Sequence, residues 1–350
     1  MQLPLRKELP INILAACFNN TAATYKFYWF YSILQSVEEG NSKIQKRDLF
    51  ARMISNAWYT VNYFHISFGK QDLIQDTIGF LKENEKLTID AKQNKLRSIL
   101  ICSQKQSTIL SLDHFDNQVP HWFLSPWYPK NNGETDSKRE KRIYAESKSF
   151  INNPLYALYD DEIIINPEWT NYLKENARLL KDFCYWNLTM YLQAKNPNVP
   201  DIPNKLIKPA VRNSLLKQRK DFWDIVVGKN GYVNCIYTGK KLTVGHYAVD
   251  HFVPYNFVSH DLIWNLIPAD QSFNAHKSDK LPSIDEFFNS FYNLQKEGID
   301  IVRKINPKNK FLEDYLTIFP DLDKSFTTDN FKDRIQPLIT IASNNGFEFL

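Results

Sequence analysis

Cysteine is scarce in this 350-residue chain, and what there is of it is scattered. The four cysteines, Cys17, Cys102, Cys184 and Cys235, form no Cys-x-x-Cys pair, so neither a disulfide framework nor a zinc ribbon is expected. Long apolar runs are missing too. The stretch 11–18 is too short and too interrupted for a signal segment or a membrane span, and thiols expected to stay reduced fit a cytoplasmic protein with no membrane partner. Charge of one sign is also lacking: 43 Lys and Arg against 39 Asp and Glu leave a net charge of +4, compatible with a polyanionic partner but not diagnostic of one. No internal repeat or low-complexity tract is found.

What is present is aromatic. Phe, Tyr and Trp make up 14% of the chain within a hydrophobic fraction of 43%, enough for a sizeable core, and a mean hydropathy of −0.43 fits a soluble globular protein. At this length two or three folding units are the default.

The first 200 residues read as helical. Positions 22–37 are apolar on most faces and are followed by Gly40 and Asn41, as for a buried helix with a C-terminal stop. Positions 46–64 place Leu49, Phe50, Met53, Ile54, Ala57, Trp58 and Val61 at helical spacing. Positions 72–82 and 90–102 continue with more polar outer faces. From 113 to 153 three prolines among aromatics, then a polar run, read as a long loop or hinge. His114, His121, Asp113 and Asp116 lie there, but a polar loop needs no second metal site. A short strand is expected at 163–165 and a helix over 168–193, ending before Pro197, Pro200 and Pro203, which read as a linker.

Segment 201–228 is basic. Lys205, Lys208, Arg212, Lys217, Arg219 and Lys220 occur with no acid until Asp221, which reads as a basic helix against phosphates or as a solvated helix face beside a linker. Beyond Pro282, Ser283 and Glu286 form a capping box that launches the first of three helices, the others falling near 309–318 and 329–343. Four regions result: a helical domain (1–200) that binds DNA, senses a signal or docks a partner, a basic linker (201–228), a small mixed domain (229–282) and a helical C-terminal extension (283–350). The fold class is α+β.

The mixed segment concentrates the chemistry. Four of the seven histidines lie in it, at 246, 251, 260 and 276. Positions 232–237 are β-prone, Thr238 and Gly239 make a turn, and a second extended run ends at Asp250. A further strand at 264–268 precedes a helix over 270–277. Asp250 at a strand end and Asn274 on the helix can pinch a cation between oxygen donors, which suits Mg²⁺ or Mn²⁺ better than Zn²⁺. On an extended backbone Asp250 and His251 point to opposite sides, so the carboxylate can hold a metal while the imidazole takes a proton from the attacking water.

The order of residues resembles the HNH, or ββα-metal, nuclease family, and particularly the HNH domain of RNA-guided CRISPR effector nucleases. The matching features are Cys-x-Tyr-Thr-Gly-Lys from Cys235, Val-Asp-His-x-x-Pro from Val249, Phe257, Asn265, and Asn-x-x-Lys-Ser-Asp-x-x-Pro from Asn274. The resemblance implies Asp250 and Asn274 as metal ligands, His251 as general base and Asn265 as support for the loop around the base. His276 could join the metal or contact phosphate, since related members place a histidine ligand in this helix. Lys277 and Lys280 are candidate phosphate contacts, with Lys208, Arg212, Lys217 and Arg219 supplying more of the grip on DNA. His246 and His260 read as surface or supporting residues, Phe257 and Trp264 as packing, and Cys235 as a small core residue. Many members frame the fold with two Cys-x-x-Cys pairs on zinc. Only Cys235 remains here, and no structural zinc is expected.

The chain has neither a paired RuvC-like nuclease segment nor room for a guide-binding lobe. It is therefore similar to stand-alone bacterial HNH proteins, which include restriction, homing, toxin and phage-defence nucleases. The expectation is a metal-dependent DNA endonuclease in phage defence or restriction, with a partner protein among its contacts. The contrasting expectation is a nucleic-acid-binding or regulatory module whose ββα domain is inactive or needs a partner.

Overall fold

The computed structural model describes residues 3–207 and 212–350. Two compact units account for the chain, one of Met1–Pro197 with Lys205–Pro209, the other of Asn198–Asn204 with Ala210–Leu350. The proline-bearing stretch is thus shared between the units rather than a simple tether. Lys208 lies outside the described residues.

In the first unit the helices Tyr25–Glu38 and Lys46–Asn62 pack on each other, and Ala177–Lys195 covers the former. The Tyr25–Glu38 helix is buried on most faces because Phe27, Tyr28, Trp29, Phe30, Ile33 and Leu34 leave it no polar stripe. Buried polar atoms there find partners: Trp29 Nε1 donates to the Tyr156 hydroxyl (3.0 Å), which donates to the Pro120 carbonyl (2.6 Å). A three-stranded antiparallel sheet completes the unit in the order β1 (Lys43–Gln45), β3 (Glu162–Ile165), β2 (Tyr156–Leu158), with Ile44 opposite Ile163 and Ala157 opposite Ile164.

Two expectations for this unit need correction. Segment 113–153 is not a long loop, because it holds the helix Asp136–Lys148. Its polar surface hid a helix stabilised by its ends: Thr135 caps Lys138 N, and Arg142 pairs with Glu134 (2.8 Å) and Glu146 (3.5 Å). The expected helix over 168–193 is two, Pro167–Glu175 and Ala177–Lys195, broken where Asn176 leaves helical geometry.

From residue 216 the second unit runs through a helical turn Leu216–Gln218, a π-helical turn Arg219–Trp223 and the helix Asp224–Asn230. The basic run is therefore not one continuous helix, since residues 212–215 lie in none. Next come β4 (Val233–Asn234) paired with β5 (Lys241–Leu242), and β6 (Ala248–His251) paired with β7 (Leu266–Ala269), both antiparallel. The helix Gln271–Lys277 follows directly.

The C-terminal helices are built into this unit rather than appended to it. Helix Ile284–Ile305 is capped by Ser283, which accepts from Glu286 N, and is strongly amphipathic. It stacks Phe291 flat on Phe252 (3.9 Å between centroids) and packs against β7 and the helix Asp224–Asn230. Gly298 sits in its interior because a Cβ there would lie 3.1 Å from the Phe222 ring, so close helix packing outweighs the propensity loss. Phe319, Phe326 and Phe331 close an aromatic cluster with Tyr292. No helix among the described residues is long and apolar enough to cross a membrane.

Candidate active site

The turn between β4 and β5 is where the site begins. Cys235 N donates to the Lys240 carbonyl (2.8 Å) and Gly239 N to the Cys235 carbonyl (2.9 Å), a tight turn that requires Gly239 at φ +70°. The same turn anchors the start of the helix Gln271–Lys277. The Cys235 sulfur accepts from Asp270 N (3.4 Å), Lys240 Nζ reaches Asp270 Oδ2 (3.1 Å), and Asp270 caps Phe273 N (3.0 Å). Phe273 N–H and the Lys240 ammonium together hold the Asp270 carboxyl below its ordinary range.

Strand β6 carries Asp250 and His251 in register with Ile267 and Leu266. Their side chains have separate partners, as alternation along a strand requires. The nearly buried Asp250 carboxylate accepts from the Tyr237 hydroxyl at Oδ2 (3.0 Å) and from Lys277 Nζ at Oδ1 (3.2 Å). Burial and the adjacent Asp250 push the Tyr237 phenol well above its usual range, so it serves as a donor. Tyr237 is itself stacked on Phe273 (4.9 Å). The His251 ring instead meets Asp261, with Nε2 3.0 Å from Oδ1, and stands edge-on to Tyr255 (5.4 Å).

Beyond His251 the chain is fastened by Asn265. Its carboxamide donates to the Val253 carbonyl (2.8 Å) and accepts from Val253 N (2.9 Å), fully buried. Elements far along the chain brace the same loop. Gln295 donates to the Leu266 carbonyl (2.8 Å), Asp314 accepts from Ile263 N (2.9 Å), and Thr317 accepts from Trp264 Nε1 (3.1 Å).

A cavity of about 310 Å³ opens beside this strand end, and Asp250, His251, Asn274, Asp261, Tyr255 and Arg212 are among the residues lining it. Acid, base, carboxamide and guanidinium therefore face one small polar space. A family model described as HNH endonuclease matches residues 235–283. The chain carries an HNH domain. No curated protein and no solved structure matches the chain.

Four of the expected residues line one cavity: Asp250, His251 and Asn274 from the HNH domain, and Arg212 from the segment before it. Arg212 donates to Asn256 Oδ1 (2.8 Å) and lies over the Tyr255 ring (5.3 Å). Asn265 stands behind the loop. The remaining candidates are placed differently. His276 is exposed and off the cavity lining, because it lies two residues from Asn274 and so on another helix face. Lys277, expected as a phosphate contact, is fully buried beneath Asp250, since i, i+3 spacing puts it on the inner face with Asn274. Arg219 packs over Tyr247 (4.8 Å) near Asp224 (3.8 Å). Lys217 is exposed and Lys280 half-buried, neither lining the cavity. His246 is exposed, and His260 packs against Trp264 (4.9 Å).

Two contributors escaped the sequence reading. Tyr237 was visible as a motif letter but not as a partner of Asp250. Asp261 had no signal beyond being a carboxylate ten residues after His251.

HNH nucleases generally use divalent metal ions, and the donors here suit a hard one. Asp250 and Asn274 offer oxygen atoms to one cavity. Among the described residues no group of three or more His, Cys, Asp or Glu is gathered to hold a metal.

Proposed function

We propose that this chain is a Mg²⁺- or Mn²⁺-dependent endonuclease that hydrolyses phosphodiester bonds of DNA. The observation that carries the reading is the convergence of Asp250, His251 and Asn274 of an HNH domain, with Arg212 from outside it, on one polar cavity. A bound divalent ion would supply electrostatic stabilisation of the charge that develops on the phosphate and the departing oxygen. Asp250 and Asn274 would hold it.

The chain's own groups do the rest. Asp261 accepts the Nε2–H of His251, which fixes the tautomer and leaves Nδ1 as the basic nitrogen for a water proton. Tyr255 limits ring rotation from the side. Arg212 is placed to meet a phosphate oxygen with a planar fork. Exposed Lys217 and Lys220, and half-buried Lys280 after the helix, would add positive charge for phosphates. The first unit would bind DNA, sense a signal or dock a partner protein, in a cytoplasmic role in bacterial phage defence or restriction, a setting that the four free cysteines suit.

A cleavage assay on plasmid DNA, single-stranded DNA and RNA with a metal series tests this. Metal-dependent cutting of DNA, stopped by chelation and reduced at least about 10²-fold in His251→Ala, is expected. Robust cutting by His251→Ala would remove the assigned base, and cutting of RNA alone would remove the assigned substrate.

A further inference from the structure

Behind Asp250, out of the cavity lining, a lysine is buried against the carboxylate. Lys277 Nζ lies 3.2 Å and 3.1 Å from the two oxygens of Asp250 and 2.7 Å from the His251 carbonyl, with the Tyr237 ring 5.9 Å away. It is fully buried, so it cannot swing toward solvent without abandoning every partner, and a buried unpaired ammonium is strongly disfavoured. Lys277 is thus a fixed element, unlike a flexible surface lysine that reaches for phosphate.

Its position sets the charge that an incoming metal meets. Asp250 is the carboxylate on the metal side, and Lys277 cancels it at contact distance. The second carboxylate in the lining, Asp261, is engaged by His251, and the guanidinium of Arg212 shares the same space. Affinity of oxygen sites for hard divalent ions follows the number of anionic ligands and the rigidity of the site. This lining offers almost no net negative charge.

We propose that Lys277 makes divalent-metal binding conditional on a phosphodiester in the cavity, so that metal and nucleic acid load together. The inference rests on the nuclease reading and adds a property to it. The phosphate supplies the anionic charge that Lys277 has cancelled, and Arg212 helps hold that phosphate. Because binding free energies are reciprocal, the metal must tighten nucleic-acid binding by the factor that nucleic acid tightens the metal. Lys277 acts through Asp250 and is a positioning residue.

The test is Mn²⁺ binding to the full chain, followed by electron paramagnetic resonance. His251→Ala protein, used to suppress turnover, is titrated with Mn²⁺ alone and with a saturating DNA duplex. Tightening of about tenfold or more by the duplex is expected, and equal affinities would overturn the proposal. Lys277→Met protein is titrated without nucleic acid. Removing a charge at contact distance from the carboxylate is expected to tighten Mn²⁺ about tenfold or more, and unchanged affinity would overturn it. Should Lys277→Met fail to fold, the duplex titration decides alone. Should the wild type cut no nucleic acid, the nuclease reading fails, and the nucleic-acid-free comparison still decides the part played by Lys277.

Discussion

Replacing Asn265 by alanine probes the link between loop geometry and the proposed base. The wild-type carboxamide closes a ring with both polar groups of Val253, at 2.8 Å and 2.9 Å, with Asn265 itself fully buried. Alanine leaves the Val253 N–H and C=O without partners in a dry interior. At about 1–3 kcal/mol for each of the two orphaned groups, the loss should be about 2–6 kcal/mol. Set against a typical domain stability of about 5–15 kcal/mol, that is severe. Urea denaturation of the full chain reads the stability, and hydrogen exchange over residues 248–269 reads the local effect. Asn265→Asp is expected to do comparable harm, because it turns the donor facing the Val253 carbonyl into an acceptor. As Val253 follows His251 by two positions, cleavage should fall even in the fraction that stays folded. A loss below about 0.5 kcal/mol with wild-type exchange would refute the reasoning, since that is the range of neutral surface changes.

Other expectations follow from the same geometry. Asp261→Asn should lower the cleavage rate about 10- to 100-fold with little change in DNA affinity, since a carboxamide can impose the wrong tautomer; an unaltered rate would show that the contact does not orient the ring. Arg212→Ala should weaken DNA binding in fluorescence anisotropy and reduce the slope of log affinity on log salt by about 1. An unchanged slope would take Arg212 out of the phosphate contacts. A fragment of residues 229–282 should show no cooperative unfolding, because its two-stranded sheets lose the helix Ile284–Ile305 that covers Phe252. Sharp near-ultraviolet circular dichroism and a sigmoidal melt would contradict this.

Legibility in the sequence followed the range of the forces involved. The turn at Gly239, the strand end at Asp250 and the helix after it were readable because turn chemistry, capping and alternation are local, and the α+β class followed from them; the pairing was not, since the run expected over 242–249 is broken and β6 pairs with β7 rather than with the strand before the turn. The helices Tyr25–Glu38 and Lys46–Asn62 were readable from periodicity. Strands β1 and β2 were not, because three residues each carry no period, and only pairing with β3 makes them strands. Helix Asp136–Lys148 was hidden because ion pairs and a cap hold it, with Ile143 among its few buried residues. Lys277 was read by type, as a basic residue after a helix start. Its burial follows from the facing of the helix, which places it under Asp250. Asp261, Gln295 and Asp314 act through tertiary contacts that no spacing rule reports.

Residues 347–350 are tied into the HNH domain. Leu281 N donates to the Glu348 carbonyl (2.8 Å), Leu350 N donates to the Leu281 carbonyl (3.0 Å), and Phe347 lies edge-on to Phe257 (6.0 Å). During synthesis, therefore, residues 248–283 leave the ribosome long before residues 347–350, which close on Phe257 and Leu281. Such distant closure is slow compared with local helix formation. A nascent chain would carry the whole motif from Cys235 to Pro282 before these contacts can form.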